Sequence, residues 1–153
     1  MFSIGAITIF AVIAIGVLIF VLARLKRSRE KRRLEQYTIE PEALHALLNS
    51  NQKVLVVDVR QPLDLLAYSQ MIPGAKRIPP KEVIANPGLI PNEVDTIVYC
   101  TCNSEKISMD ILRRALAANI SRVKFLKGGL AAWKAKGYSV VPYVESFHLD
   151  TAG

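Results

Sequence analysis

Residues 96–106 read Thr96-Ile-Val-Tyr-Cys-Thr-Cys-Asn-Ser-Glu-Lys106, a run that joins a strand pattern to the start of a helix. The first five residues are mostly β-branched or aromatic, which is typical of a strand buried on both faces. From about residue 105 to 118, apolar side chains recur at helical spacing and predict an amphipathic helix. These side chains are Ile107, Ile111, Leu112, Ala115 and Leu116.

Two further runs predict strands of the same sheet. Val54-Leu-Val-Val-Asp-Val59 is a continuous apolar run, and Arg122-Val-Lys-Phe-Leu126 is a shorter one. Ahead of the first run, residues 40–49 combine an early proline with leucines at helical spacing, which predicts another amphipathic helix. Strands that alternate with helices indicate a parallel α/β sheet. We interpret the proline-rich stretches 73–80 and 87–91 as connections.

The basic residues are concentrated in one short segment. The chain of 153 residues has a net charge of +7, but seven of its twenty Lys and Arg residues lie between Arg24 and Arg33. The chain after this segment holds 13 basic and 12 acidic residues and is nearly neutral. Such a domain lacks the basic surface that nucleic-acid binding needs, so we expect no nucleic-acid partner. With only 2 Cys, 8 Gly and 8 Pro, the composition excludes disulfide-scaffold and collagen-like classes.

Phe2 to Ala23 form an uncharged, strongly apolar run of 22 residues. As an α-helix this run would be about 33 Å long, which is enough to cross a hydrocarbon core of about 30 Å. We interpret residues 1–24 as a single transmembrane helix that precedes a basic juxtamembrane stalk at 25–36. The alternatives are a buried core helix and a cleaved signal peptide, although a signal peptide would begin with a basic segment and have a shorter apolar run.

The basic cluster at 24–33 predicts the orientation of this helix. Cytoplasmic flanks of membrane helices are enriched in Lys and Arg, and the cluster follows the C-terminal end of the apolar run. We therefore expect a single-pass protein of the cell inner (plasma) membrane, with its N-terminus outside and the domain at 37–145 in the cytoplasm. Residues 146–153 are expected to be a C-terminal tail. The cluster can also attract anionic lipids of the bilayer, at about 1 kcal/mol per basic residue near the surface.

Cys100 is the candidate for chemistry, because it ends a predicted strand where parallel sheets bind their ligands. The loop after it leads into a helix whose N–H groups and positive dipole end favour a thiolate, the nucleophilic form of cysteine. The alternative is a buried, inert cysteine, which is a common environment for a free thiol. The loop residues are Thr101, Cys102, Asn103, Ser104, Glu105 and Lys106.

Five short segments of the sequence, taken in order, match the motifs of one domain family. They are Val56-Val-Asp-Val-Arg60 followed by Asp64, Met71-Ile-Pro-Gly-Ala75 followed by Ile78-Pro79, Ile97-Val-Tyr-Cys100, Lys127-Gly-Gly-Leu-Ala-Ala-Trp133, and Lys136-Gly-Tyr138. In this order and at ordinary spacing, they resemble the rhodanese (sulfurtransferase) domain family over about Tyr37 to Tyr143. The resemblance implies an α/β fold with a five-stranded, mostly parallel sheet flanked by helices, and a persulfide on a catalytic Cys100.

The resemblance also implies the reaction. The Cys100 thiolate attacks a sulfane sulfur, and an acceptor nucleophile then removes the outer sulfur of the persulfide. The expected partners are a small sulfane-sulfur donor or a persulfidated protein, and a thiol acceptor. Backbone N–H groups can stabilise the anions of this reaction, so we expect neither a His base nor a cofactor. Asp58 and Arg60 are expected to brace the loops at the carboxyl edge of the sheet.

Glu105 departs from the common pattern of the family, which has an arginine at this position as a partner for a bound anion. Related phosphatases and arsenate reductases need that arginine to hold a tetrahedral oxyanion, so these activities are disfavoured. A branch of bacterial rhodaneses resembles this loop, with Cys-x-Cys and a Glu at the same offset. Thiosulfate is then a poor donor, and a persulfide or polysulfide is expected. The alternative function is a catalytically silent rhodanese-like module that binds a membrane or thiol-redox partner.

Cys102 has three interpretations: a neutral loop residue, a resolving thiol that attacks the Cys100 persulfide or closes an easily reduced disulfide, or a metal ligand. Two thiols without a nearby His make a weak metal site, so we expect no metal. In a reducing cytoplasm both cysteines should rest as thiols. Elsewhere we expect Gly128 and Gly129 to permit a close backbone approach, Trp133 to pack in the core, and His45 to lie at the surface.

Overall fold

The computed structural model describes residues 4–50, 52–101 and 105–144. The chain divides into two compact units, Met1–Gln36 and Tyr37–Gly153. In the first unit, the described residues form the helix α1 (Ile4–Glu35). Its segment Ile9–Arg33 has a window of mean hydropathy 2.5 and is long and apolar enough to cross a membrane. A signal sequence near an N-terminus meets the same criteria of length and composition.

The second unit alternates strands with helices. In chain order its elements are β1 (Thr38–Ile39), α2 (Pro41–Leu48), β2 (Val54–Asp58), α3 (Pro62–Ala67), β3 (Gln70–Met71), β4 (Lys76–Arg77), α4 (Pro80–Ala85), a 3-10 helix (Pro87–Leu89), β5 (Asp95–Tyr99), α5 (Glu105–Ala117), β6 (Val123–Leu126), α6 (Gly129–Ala135) and β7 (Val141–Pro142).

The main sheet has five strands in the order β1-β6-β5-β2-β4, and each of these pairings is parallel. The expected five-stranded α/β sheet is therefore confirmed. β2 and β5 pair in register from Val54↔Asp95 to Asp58↔Tyr99, so both strands end at the same edge. β3 and β7 form a separate antiparallel pair, in which Met71 lies opposite Val141.

The alternation of side chains along β2 and β5 divides the core between the two faces of the sheet. Val56 and its register partner Ile97 belong to one apolar cluster, together with Leu44 of α2 and with Leu130 and Trp133 of α6. The next pair, Val57 and Val98, points to the opposite face. Helices α4 and α5 are neighbours, and we place them on this second face of the sheet. Their buried apolar side chains are Val83 of α4 and Ile111, Leu112 and Ala115 of α5. Burial on both faces explains why the strands read as continuous apolar runs.

The structure corrects two local interpretations of the sequence. β5 ends at Tyr99, one residue before Cys100, because the Cys100 carbonyl pairs with helix α6 instead of a strand. The proline-rich stretches are not only connections, since they contain β4, the start of α4 and the 3-10 helix. Proline suits the first turn of a helix, where its missing N–H would have no partner, and a two-residue strand has no readable period.

His45 lies at the surface as expected, but its side chain is half-buried and takes part in a ring cluster that the sequence does not predict. Its ring stacks on Tyr138 with 4.1 Å between ring centroids, and Trp133 lies 5.9 Å away on the same measure. Trp133 is buried as expected, and its indole N–H donates a hydrogen bond of 2.9 Å to the Ser139 carbonyl. The contact joins α2 to the segment after α6, a tertiary relationship that the helix pattern alone does not show.

Candidate active site

Cys100 lies at the carboxyl edge of the sheet, directly after the central strand β5. It is half-buried. Helix α6 holds the backbone at this point, because the Leu130 amide donates a hydrogen bond of 3.1 Å to the Cys100 carbonyl. The Ala131 amide donates to the Thr101 carbonyl at 3.5 Å. The first turn of α6 therefore fixes the start of the loop that carries the thiol.

Gly129 permits this close approach, as expected, whereas an added Cβ on Gly128 would meet Ala132 of α6 at 2.6 Å. Gly128 and Gly129 have φ values of +69° and +57°, a backbone conformation that L side chains rarely adopt. A Cβ atom on Gly129 would lie 2.2 Å from the Cys100 carbonyl oxygen. A residue larger than glycine would thus displace α6 from the loop or the loop from α6.

A buried ion pair between Asp58 and Arg60 lies at the same edge. The Arg60 Nη2 and Asp58 Oδ2 atoms are 2.6 Å apart, and both side chains are fully buried. Arg60 Nε also donates to both carboxylate oxygens, at 3.0 and 2.9 Å. The guanidinium further donates to the carbonyls of Tyr68 and Gln70, at 2.7 and 2.9 Å. Arg60 therefore ties the end of β2 to the end of α3 and to the start of β3.

Tyr99 joins the same network from β5. Its hydroxyl donates a hydrogen bond of 2.9 Å to Asp58 Oδ2 and accepts one of 3.3 Å from the Ile72 amide. Burial, and secondly the nearby Asp58 charge, raise the pKa of Tyr99 well above its usual value of 10.0. Tyr99 is therefore a neutral donor, and it connects the strand before Cys100 to the ion pair.

Arg77 adds a second link at the end of β2. Its Nη1 donates to the carbonyls of Asp58 and Ile78, at 3.1 and 2.9 Å. Partial burial lowers the pKa of Arg77, and the Asp58 charge opposes that shift. Arg60, Tyr99 and Arg77 therefore all donate hydrogen bonds to Asp58, which joins the end of β2 to the neighbouring elements at this edge of the sheet.

Two side-chain contacts reach the loop itself. The Thr101 hydroxyl donates a hydrogen bond of 2.7 Å to Asp64 Oδ2, which anchors the loop to α3. The Cys100 Sγ atom lies 3.9 Å from the Ser108 hydroxyl of α5, within hydrogen-bond range for sulfur. A hydroxyl at this distance can donate to a thiolate and favour it. Cys100 and Ser108 are both half-buried, so the Cys100 residue is partly exposed to solvent.

A pocket of about 290 Å³ adjoins the loop. Its lining combines apolar groups with one exposed cation, Lys134 of α6, whose Nζ donates to Gln70 Oε1 at 2.7 Å. The lining residues are Arg60, Tyr68, Thr101, Leu130, Ala131 and Lys134. Thr101 follows Cys100 in sequence, and Leu130 is hydrogen-bonded to the Cys100 carbonyl, so the pocket lies beside the thiol-bearing loop.

Some of the predicted site residues lie outside the described part of the chain. Cys102, Asn103 and Ser104 are not described, so the interpretations of Cys102 stay open. Glu105 and Lys106 form the first positions of α5, and their side chains are not described. Within residues 4–50, 52–101 and 105–144, no group of three or more His, Cys, Asp or Glu side chains is placed to hold a metal ion.

Comparison with known proteins places this architecture in a family. Residues 40–136, well over half of the chain, match the family model of the rhodanese-like domain. The chain belongs to the rhodanese-like domain family. This rhodanese-like domain includes the end of β2, the Cys100 loop and α6, so the whole candidate site lies within the matched region.

The relatives of the rhodanese-like domain agree with this assignment. A protein named sulfurtransferase from Allochromatium vinosum is 29% identical over 103 residues, which cover 67% of this chain and 92% of that protein. Among solved structures, a full-length protein from Lactobacillus plantarum has a TM-score of 0.64 at 22% identity and covers 78% of this chain and 98% of its own. A rhodanese-related protein from Thermoplasma volcanium has a TM-score of 0.54 at 21% identity, with coverages of 68% and 96%.

Sequence reasoning missed several residues of this rhodanese-like site. Tyr99 reads as a core strand residue, and only the strand register places its hydroxyl at Asp58. Ser108 lies eight positions after Cys100 and one position after Ile107 of the apolar stripe, so its sequence carries no signal of a contact with the thiol. Lys134 reads as an ordinary exposed helix residue. Its position in the pocket wall depends on how α6 packs against the loop.

Proposed function

We propose that this chain is a membrane-anchored sulfurtransferase that passes sulfane sulfur through a persulfide on Cys100. The observation that carries the proposal is the position of Cys100 after the central strand of a rhodanese-like domain, with its backbone held by α6. The Ser108 hydroxyl near Sγ supports the thiolate form that the reaction needs. The relative from Allochromatium vinosum that bears the name sulfurtransferase supports the same class of reaction.

The proposed reaction consists of two successive transfers of one sulfur atom. In the first, the Cys100 thiolate attacks the outer sulfur of a persulfide donor, so that a new S–S bond forms at Sγ, the S–S bond of the donor breaks, and the donor leaves as a thiolate. In the second, an acceptor thiolate attacks the outer sulfur on Cys100, and Cys100 leaves as a thiolate. The sulfane sulfur keeps its oxidation state throughout, so neither an oxidant nor a reductant is consumed.

A persulfide or polysulfide fits the site better than thiosulfate does. The family's usual arginine is replaced by Glu105, the first residue of α5, and a carboxylate there repels a dianion. Arg60 does not replace that arginine, because its donors are engaged by Asp58 and by two backbone carbonyls. We therefore propose donors that bring no dianionic group to the loop, such as an organic persulfide or polysulfide, and the protonated outer sulfur of a persulfide is the form that Cys100 attacks.

Mass spectrometry of the full chain in detergent tests the proposal. After treatment with glutathione persulfide, we expect Cys100 to gain the mass of one sulfur atom, and a thiol acceptor should remove it again. Cys100→Ser should abolish the adduct, because a serine hydroxyl stays protonated and is a poor nucleophile toward sulfur. Cys102→Ser should keep the adduct, and should lengthen its lifetime if Cys102 is a resolving thiol. An adduct that survives in Cys100→Ser would refute the assignment of the nucleophile.

A silent rhodanese-like module is the second candidate, favoured by the sequence, which has Glu105 where the common pattern of the family has an arginine. Such a module would bind a membrane or thiol-redox partner without accepting sulfur. The same measurement separates the two functions, because a silent module gives no adduct on Cys100 with thiosulfate, glutathione persulfide or polysulfide.

The membrane part of the proposal rests on α1. The helix is long and apolar enough to span a bilayer, and the basic residues from Arg24 to Arg33 follow the apolar run. We propose a single-pass protein of the inner (plasma) membrane with its N-terminus outside and the rhodanese-like domain in the cytoplasm. Protease added to spheroplasts should leave the domain intact and should digest it after lysis. Digestion before lysis would reverse the orientation, and recovery of the chain without α1 would indicate a cleaved signal sequence.

A further inference from the structure

The pocket beside the Cys100 loop has a size and lining suited to an organic ligand. Its volume of about 290 Å³ is at the lower end of the range of small-molecule sites. A compact ion such as thiosulfate would leave most of this space to water. Most of its lining surface is apolar, and the lining residues are Tyr68, Leu130, Ala131 and Lys134, together with Thr101 and Arg60.

The two basic residues that line the pocket, Arg60 and Lys134, differ in whether an acidic group neutralises their charge. Arg60 is buried and engaged by the Asp58 carboxylate, so its charge is neutralised within the protein. Asp64, behind Thr101, accepts the Thr101 hydroxyl at 2.7 Å. Lys134 is exposed, and the group it contacts is the neutral amide oxygen of Gln70. Within the part of the chain that the structure describes, Lys134 forms no ion pair, so its ammonium group is available to an anionic ligand.

We infer that this pocket binds the organic part of a low-molecular-weight thiol or persulfide, and that Lys134 contacts a carboxylate of that ligand. The inference rests on the proposed sulfur transfer through Cys100 and names its substrate class. A thiol that carries a carboxylate places its sulfur at the loop and its anionic end at the pocket wall, where α6 presents Lys134. Lys134 then favours negative charge at the end of the molecule that is remote from the transferred sulfur.

Discharge of the Cys100 persulfide to three small thiols tests this inference. Mercaptopropionate carries a carboxylate, mercaptoethanol is neutral and cysteamine carries an ammonium group, while their sizes are similar. The full chain in detergent is first loaded with glutathione persulfide, and the second-order rate of discharge is measured for each thiol. In Lys134→Glu, the ratio of the mercaptopropionate rate to the cysteamine rate should fall by about tenfold or more, since an attraction becomes a repulsion and each 1.4 kcal/mol is tenfold. The wild-type ratio and the neutral mercaptoethanol correct for differences in intrinsic thiol reactivity.

Lys53→Glu provides the matched control, because it makes the same change of charge. Lys53 is exposed and precedes β2, so it lies at the edge of the sheet opposite to Cys100. An unchanged ratio in Lys53→Glu with a lowered ratio in Lys134→Glu would support the inference. Equal ratios in the wild type and Lys134→Glu, with normal loading of Cys100, would overturn the inference and leave the sulfurtransferase proposal intact. A similar fall in both variants would overturn it as a general surface-charge effect, and failure of the wild type to load would overturn both proposals.

Discussion

Gly129 lies so close to Cys100 that a Cβ atom on it would be 2.2 Å from the Cys100 carbonyl oxygen. This contact exists because α6 begins directly against the loop and the next amide, that of Leu130, donates to the same oxygen. The thiol-bearing loop is therefore positioned by a helix from the end of the domain and not only by the strand that precedes it. Changes in α6 should affect both stability and sulfur transfer.

Gly129→Ala should lower the free energy of unfolding by about 2–4 kcal/mol, because a positive φ strains alanine and the added methyl group clashes with the loop. Gly137→Ala is the matched control, since Gly137 has a φ of +74° but nothing within 4 Å of an added Cβ. It should cost only the backbone strain, about 1–2 kcal/mol. Urea unfolding measures both losses, and the yield of Cys100 persulfide should fall in Gly129→Ala alone. Equal losses in the two variants would contradict the role of the contact.

Arg60→Lys should destabilise the domain by about 3–5 kcal/mol, because it leaves the buried Asp58 carboxylate without its two-pronged partner and frees two backbone carbonyls. Arg122→Lys is the comparison, since Arg122 also pairs with an aspartate but at the surface, where Arg122 and Asp95 are 51% and 52% exposed. Its loss should be about 0–1 kcal/mol. Denaturant midpoints at equal m-values would measure the difference, and similar losses would show that burial of the pair is unimportant.

The wild type should lose stability at alkaline pH through Tyr99, and Tyr99→Phe should lack this part of the loss. The folded state raises the pKa of Tyr99 above its unfolded value of 10.0, so the stability from the neutral phenol is complete below pH 10 and declines as the pH rises further. Between pH 9 and pH 11 the wild type should lose about 1.4 kcal/mol more than Tyr99→Phe. At pH 7 the variant itself should be about 1.5–3 kcal/mol less stable, because the hydrogen bond to the charged Asp58 carboxylate is lost. Parallel pH profiles for the two proteins would contradict the assignment.

The long elements of this fold are readable from the sequence because their apolar residues repeat with a clear period. β2, β5 and α5 were expected within one or two residues of their observed bounds. Two-residue strands such as β1 and β4 have no period, and their pairing with β6 and β2 depends on neighbours far away in sequence. The sequence therefore predicts the centre of the sheet and not its edges.

The site shows the same division between local and tertiary information. Cys100 could be proposed from a local pattern, a strand end followed by a polar loop and a helix. The contact between Cys100 Sγ and the Ser108 hydroxyl joins the loop to α5, and the hydrogen bond from the Leu130 amide to the Cys100 carbonyl joins it to α6. No local sequence pattern predicts either contact. His45 shows the same limit, because its position on a short helix predicts a surface residue but does not predict that its ring stacks on Tyr138.

A fragment that begins at Glu35 should be soluble and should unfold cooperatively, because the unit Tyr37–Gly153 contains the complete sheet and both layers of helices. Trp133, the single tryptophan of the chain, is 1% exposed and provides the probe. Its fluorescence should shift to longer wavelength in one transition that coincides with the loss of helical circular dichroism. Aggregation of the fragment, or two separate transitions, would contradict the domain boundary.

Glu105→Arg should improve the use of thiosulfate, because it changes a repulsive charge at the start of α5 into an attractive one near a dianion. A charge-assisted contact of this kind is worth about 1–3 kcal/mol when partly desolvated, so kcat/KM for thiosulfate should rise roughly tenfold or more. Glu93→Arg is the control, since Glu93 is exposed and precedes β5 at the opposite edge of the sheet. It makes the same charge change far from Cys100 and should leave thiosulfate use unaltered.

If both variants improve equally, the net charge of the protein and not the loop governs the choice of donor. If neither improves while glutathione persulfide still loads Cys100, Glu105 does not face the donor.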